Sequence, residues 1–293
     1  MRLVSLILFI GGSFAHGSEI DSFSLRDESL HDATFELNTL MNGYIKKSID
    51  EANTWGQCDN NRFRKDLHNR IGGVFWSRLE DEVGQNKKID KRTITRSNSI
   101  YKDVSFLQAP GLYLASLGHI MRLGKYFIGD DKLGHFIEEG YNYYKIIHDK
   151  GKKLADALAF GEKAEKGYFG SDISGVYSPG DLAANYQGYK EFWLPLIGSD
   201  EKALVKCNRG KYSTLRPFNW GAHVNAAWDE GINCNSYKNE AVNQAIAGRI
   251  KELEKKRGMS LSCPIIPKEC PTMIQYFGEI APHVITKKCF SKV

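Results

Sequence analysis

Several familiar signatures are missing from this chain, and each absence removes a class of function. There is no G-x-S-x-G elbow, no phosphate-binding P-loop and no G-x-G-x-x-G fingerprint, so serine-esterase, nucleotide and dinucleotide-redox readings have no support. No C-x-x-C pair or close Cys/His cluster occurs, which speaks against a structural zinc site. No run approaches the roughly 20 apolar residues that a membrane-spanning helix needs. Arginine and lysine are not clustered among aromatic residues, so nothing suggests a nucleic-acid partner. Neither an internal repeat nor a linker rich in proline, glycine or serine divides the chain.

What is present points outside the cytoplasm. Met1 and Arg2 precede the apolar run L-V-S-L-I-L-F-I, and Ser13 and Ala15 put small residues where a leader peptidase would cut before His16. Residues 1–15 are therefore expected to be a signal peptide and 16–293 the mature protein, one domain with a cysteine-bearing tail. With no cysteine at the cleavage point, a lipid anchor is not expected, and the protein should be periplasmic or secreted. All six cysteines fall in the mature part, where an oxidising compartment favours three disulfides. Short loops favour Cys263 with Cys270 and Cys207 with Cys234, leaving Cys58 for Cys289. A formal charge of +5, spread along the chain, would suit an anionic envelope polymer such as cell-wall polysaccharide.

Hydrophobic periodicity predicts a mainly α fold of about eight helices with one small β-hairpin. Residues 19–32 are polar and read as a flexible lead-in. Phe35, Leu37, Leu40, Met41, Tyr44, Ile45 and Ile49 recur at helical spacing over 34–53, and Leu67, Ile71, Phe75, Trp76, Leu79 and Val83 do so over 61–83. In the second helix His68 reads as a partly exposed residue beside the stripe. Weak alternation over 84–105 suggests a loop with one edge strand. The run L-Y-L-A-S-L-G-H-I-M after Pro110 and Gly111 reads as a buried central helix, with His119 a hydrogen-bonded core residue. Two helices broken near Gly151 fill 131–166, and a hairpin or tight loop with Gly170 and Gly175 as turn residues follows. Ser178-Pro179-Gly180-Asp181 then has the form of a helix start, with serine as N-cap, proline at the first position and an acid for a capping box. Further helices are expected near 220–232 and over 240–257.

The stretch from Asp130 to Trp193 concentrates the candidate chemistry. Leu154, Leu158 and Gly161 define an apolar helix face whose next position is Glu165. Burial and the negative end of the helix dipole both push such a carboxyl toward its protonated form, as a general acid requires. A glutamate ending a helix, then a short hairpin, then another helix resembles the order of parts around the acid of lysozyme-type glycosidases, although none of their longer signatures occurs. That likeness implies a glycoside hydrolase acting on peptidoglycan or a related amino-sugar polymer, with Glu165 as acid and Glu139 or Asp172 as nucleophile or base. No cofactor is expected. His135, Tyr143, Tyr168 and Tyr177 are candidate substrate contacts, with Tyr141, Tyr186 and Trp193 as further rings, and plain core packing is the simpler reading of most of them.

Two alternatives stand beside that reading. One is a non-catalytic envelope or polymer-binding protein in which Glu165 is ion-paired. The other is a metal-dependent hydrolase using His135, Glu139 and Asp131, since His135 and Glu139 are four apart on one helix and can meet. D-K-L-G-H-F, residues 131–136, resembles short motifs of assorted bacterial envelope proteins. Asp229 and Glu230, adjacent acids, read as solvated.

Overall fold

A computed structural model describes residues 19–73, 77–167 and 170–290. The expected leader, Phe75, Trp76 and Tyr168 lie outside them. The fold is mainly α, with small antiparallel sheets and three disulfides.

Helix α1 (Thr34–Ala52) buries Leu37, Met41, Ile45 and Ile49, one residue per turn. Phe35, expected on the same stripe, is exposed. The expected second helix is two: α2 (Asn60–Ile71) ends at Gly72, and α3 (Arg78–Gln85) restarts with a capping box between Ser77 and Glu80. Strand β1 (Lys91–Arg92) is the edge strand expected in this region. The run after Pro110 is not the expected central helix. Its first four residues form the short helix α4 (Gly111–Leu114), and the rest leads into strand β2 (Ile120–Leu123), which pairs with β3 (Tyr126–Gly129) through a turn where Gly124 takes a positive φ of 59°. A ten-residue apolar run serves a strand as well as a helix, and the left-handed residue at Gly124 decides for the hairpin.

The central buried helix lies elsewhere. Helix α5 (Asp131–Gly134), a π-helical turn (His135–Glu139), helix α6 (Gly140–Tyr144) and a second π turn (Lys145–Asp149) run end to end. After the break at Gly151 comes α7 (Leu154–Lys166), then a tight loop with the expected turn glycines, Gly175 having φ 77°. Among the described residues no hairpin closes there: β4 (Val176–Tyr177) pairs instead with β7 (Ser236–Tyr237), sixty residues on. Every residue of α8 (Pro179–Gln187) is buried, and a π turn (Gly188–Trp193) extends it. The two long helical runs cross at glycines. A Cβ on Gly140 would lie 2.8 Å from the Gly188 backbone, and one on Gly188 would lie 1.9 Å from the Phe136 carbonyl oxygen.

The remaining elements close the sides. Strands β5 (Val205–Asn208) and β6 (Lys211–Thr214) form a hairpin beside α1. Short 3-10 turns at Trp220–Ala222 and Ala226–Trp228 replace the helix expected over 220–232. Helix α9 (Glu240–Arg257) forms as expected and packs with Phe23, Ile100, Tyr101 and Val176 in a second core cluster. Helices α10 (Cys270–Phe277) and α11 (Ala281–Val284) finish the chain.

Three expectations are corrected here. The disulfides are Cys58–Cys207, Cys234–Cys263 and Cys270–Cys289. None is a pair that loop length favoured, because the β5–β6 hairpin carries Cys207 to the end of α1, and residues 231–235 run beside Cys263. The segment after residue 18 is no flexible lead-in: Ile20, Asp21 and Phe23 are buried, and the Asp21 carboxylate accepts backbone N–H bonds from Phe23, Ser24 and Ile100. Asp229 and Glu230 are not solvated. Arg26 grips Asp229 with two bonds of 2.7 and 2.6 Å, and both acids are buried.

Candidate active site

Lys132 is the centre of the site. Its side chain is 0% exposed, and its ammonium lies 2.7 Å from Asp131 Oδ2, 2.5 Å from Asp181 Oδ1 and 2.6 Å from Glu230 Oε1. Those acids come from α5, from the first turn of α8 and from the segment after the 226–228 turn. A cation so far from water is held only because several carboxylates surround it, and they keep it charged against the desolvation that favours the neutral amine.

The π turn brings His135 to the same place. Its Nδ1 is 3.0 Å from Asn185 Oδ1 and its Nε2 is 3.2 Å from Asp181 Oδ2. Burial favours the neutral ring, but the charge and hydrogen bond of Asp181 outweigh it and raise the imidazole well above its usual range. An imidazolium can donate to both oxygens at once. Asp181 is the converse case. Burial alone would raise it, yet His135 and Lys132 together hold its carboxyl below the usual carboxylate range. Ser178 organises the start of α8: its Oγ accepts from Asp181 N at 3.2 Å and donates to Glu230 Oε1 at 3.0 Å. Asp181, read from sequence as a capping acid, therefore directs its carboxylate into the cluster.

Glu165 reaches this cluster from the last turn of α7 and is 4% exposed. The chain turns back tightly beneath it, with Ser171 N donating to the Glu165 carbonyl at 2.8 Å; a Cβ on Gly170 would lie 1.8 Å from that carbonyl oxygen. Its carboxylate accepts from Ser178 N at 3.4 Å. Desolvation first, and the charge of Asp181 second, push its pKa well above the ordinary value, while His135 and Lys132 pull the other way. Two carboxyls that influence each other are thus driven apart, Glu165 toward the acid and Asp181 toward the anion.

The other candidates are placed as follows. Glu139 is half-buried; Asn142 donates to its Oε1 at 3.2 Å, and it makes no hydrogen bond to His135 among the described residues. Burial raises its carboxyl. Asp172 is exposed, and its backbone carbonyl accepts from Lys238 at 3.0 Å. Tyr143 is buried against Gly161, and Tyr141, Tyr186 and Trp193 belong to the core. Tyr177 is half-buried, with Lys166 over its ring at 5.9 Å. His68 is partly exposed and bonded to Glu138 at 2.8 Å, while His119 is half-buried and bonded to Asp130 at 2.7 Å.

Asp131, His135 and Asp181 bring ligand atoms within 4.8 Å of one another, the arrangement a divalent ion would use, with Asp181 in place of the expected Glu139. The Lys132 ammonium already bonds two of the three, so an ion there requires that ammonium to move aside. Sequence reasoning did not select Lys132, Asp181 or Glu230. Lys132 stood in the charged run D-D-K beside the candidate ligand Asp131, Asp181 read only as the acid of the S-P-G-D helix start, and Glu230 read as solvated. No protein family, curated protein or solved structure matches this chain.

Proposed function

We propose that the protein is a hydrolase of the bacterial envelope that cleaves glycosidic bonds of peptidoglycan or a related amino-sugar polymer, with Glu165 as proton donor and Asp181 as the ionised partner. The observation that supports it is the placing of one buried carboxyl at a helix end against a second carboxyl fixed by a lysine and a histidine. Glycoside hydrolysis needs this division of labour, an acid to protonate the leaving oxygen and an anion for the developing positive charge or for water. Asp181 takes the second role in preference to Glu139 and the exposed Asp172, because Lys132 at 2.5 Å and His135 at 3.2 Å fix its two oxygens in the cluster that Glu165 reaches. His135, with 22% of its side chain exposed, is the most open edge of the cluster and the point from which substrate is approached. Location outside the cytoplasm fits the three disulfides.

Turbidity clearing of purified peptidoglycan by the oxidised protein tests the reading. Glu165→Gln is expected to lower the rate by about 100-fold or more, the usual contribution of a general acid, and Asp181→Asn to do likewise. A folded parent that clears neither native nor N-deacetylated peptidoglycan rejects the proposal. Loss of activity on chelation, with Glu165→Gln unaffected, would move the chemistry to a metal at Asp131, His135 and Asp181.

A further inference from the structure

Away from the acid cluster, between α2 and the helical run that holds α6, a cavity of about 490 Å³ opens to the surface. Arg62, Arg64 and Lys65 line it from one side, Tyr141 and Tyr144 from the other. Arg64 is the unusual member. It is 7% exposed, its Nε donates to the Trp193 carbonyl at 3.1 Å, and its two Nη groups reach the Asn60 and Leu194 carbonyls only at 3.5 Å. Its guanidinium faces the Tyr144 ring at 4.9 Å. Among the described residues no carboxylate pairs with it. A buried guanidinium normally has an anionic partner, since carbonyl dipoles alone offset little of its desolvation.

Neighbouring acids do not supply that partner. Asp59 also lines the cavity, but its Oδ1 accepts from Arg62 N at 2.9 Å as the N-cap of α2. Asp149 lies at the far wall, exposed. Arg62 is taken up by the Trp55 ring at 4.0 Å and by Asp66 at 3.8 Å. Arg64 and exposed Lys65 are left facing the same space, beside two tyrosine rings that lie parallel within 4° with centroids 6.2 Å apart.

We propose that this cavity binds an anionic saccharide unit, its carboxylate or phosphate held by Arg64 and Lys65 and its hydroxyls met by the phenol groups of Tyr141 and Tyr144, whose ring faces are covered by His68 at 4.2 Å and His148 at 4.6 Å. A planar guanidinium offers paired N–H donors that match either oxyanion, and a phenol hydroxyl can both donate to and accept from a sugar hydroxyl. The site shares no residue with the Glu165 cluster, so it stands whether or not that cluster is catalytic.

Calorimetric titration of the oxidised full chain tests it with three probes: N-acetylmuramic acid, N-acetylglucosamine 1-phosphate and neutral N-acetylglucosamine. At least one charged sugar is expected to bind about tenfold or more tightly than the neutral one, the effect of a charge-assisted hydrogen bond. Whichever charged sugar binds tighter names the oxyanion. Lys65→Ala, an exposed position that leaves folding intact, should weaken that binding several-fold, and Arg64→Lys, which keeps the charge but loses the fork, should weaken it further. Equal binding of the neutral sugar, no binding of either charged sugar, or affinities untouched by both substitutions would overturn the proposal.

Discussion

Burial beside Asp130 and Asp131 lifts the Glu80 carboxyl to about 8, although the Ser77 backbone N–H that it accepts works in the opposite direction. The unfolded chain loses this proton near pH 4.5 and the folded chain only near 8, so stability falls as pH rises between those values and the whole penalty is present above them. Asp131, raised to about 7, adds to the same trend. Glu80→Gln keeps the size and the capping oxygen while removing the ionisation. We expect it to stabilise the protein at pH 8.5 by on the order of 1–3 kcal/mol and to change little near pH 4, as read by urea unfolding at the two values. An equal effect at both would show that Glu80 is ionised throughout. Lys132 illustrates why individual site residues were hard to read from sequence. A lysine between Asp131 and Leu133 looks like any surface residue, and only the arrival of Asp181 and Glu230, 49 and 98 positions away, makes burial tolerable. The burial of Glu165 was legible because its neighbours on α7, Leu158 and Gly161, declare the face on which it lies.

Where helices touch, the glycines divide into those that contact requires and those it does not. At Gly188 an added methyl would meet the Phe136 backbone, its carbonyl oxygen at 1.9 Å, carbonyl carbon at 2.7 Å and Cα at 2.9 Å, with no flexible side chain to yield. Gly43, exposed within α1, has no atom within 4 Å of the same position. Gly188→Ala is therefore expected to cost more than about 3 kcal/mol by overpacking, whereas Gly43→Ala should stabilise by about 0.5–1 kcal/mol through helix propensity. Thermal unfolding of the two variants checks the contrast; similar effects would mean that the long helical runs do not cross at these glycines. Helices α1, α7 and α9 and the start of α8 could be read from sequence because each carries an apolar period or a cap of its own. The run after Pro110 and the β4–β7 pair could not, since one is too short for its period to decide and the other joins segments sixty residues apart. Residues 19–24 misled for a related reason: their burial rests on the backbone bonds of Asp21, which leave no periodic trace.

Across the whole molecule the disulfides set the longest connections. Peptide mapping without reduction is expected to recover Cys58–Cys207, Cys234–Cys263 and Cys270–Cys289, and recovery of Cys263 joined to Cys270 would contradict the fold described above. Loop entropy predicts that these bonds are unequal. Removing the Cys58–Cys207 pair, separated by 149 positions, should destabilise by about 2 kcal/mol more than removing Cys270–Cys289, separated by 19. The same long connection determines what proteolysis does to the protein. A single cut anywhere between residues 58 and 207, which includes the loop below Glu165, leaves two fragments still joined by one covalent bond. A nicked molecule with that bond intact would keep its two parts together, and would show two bands only after a reducing agent was added.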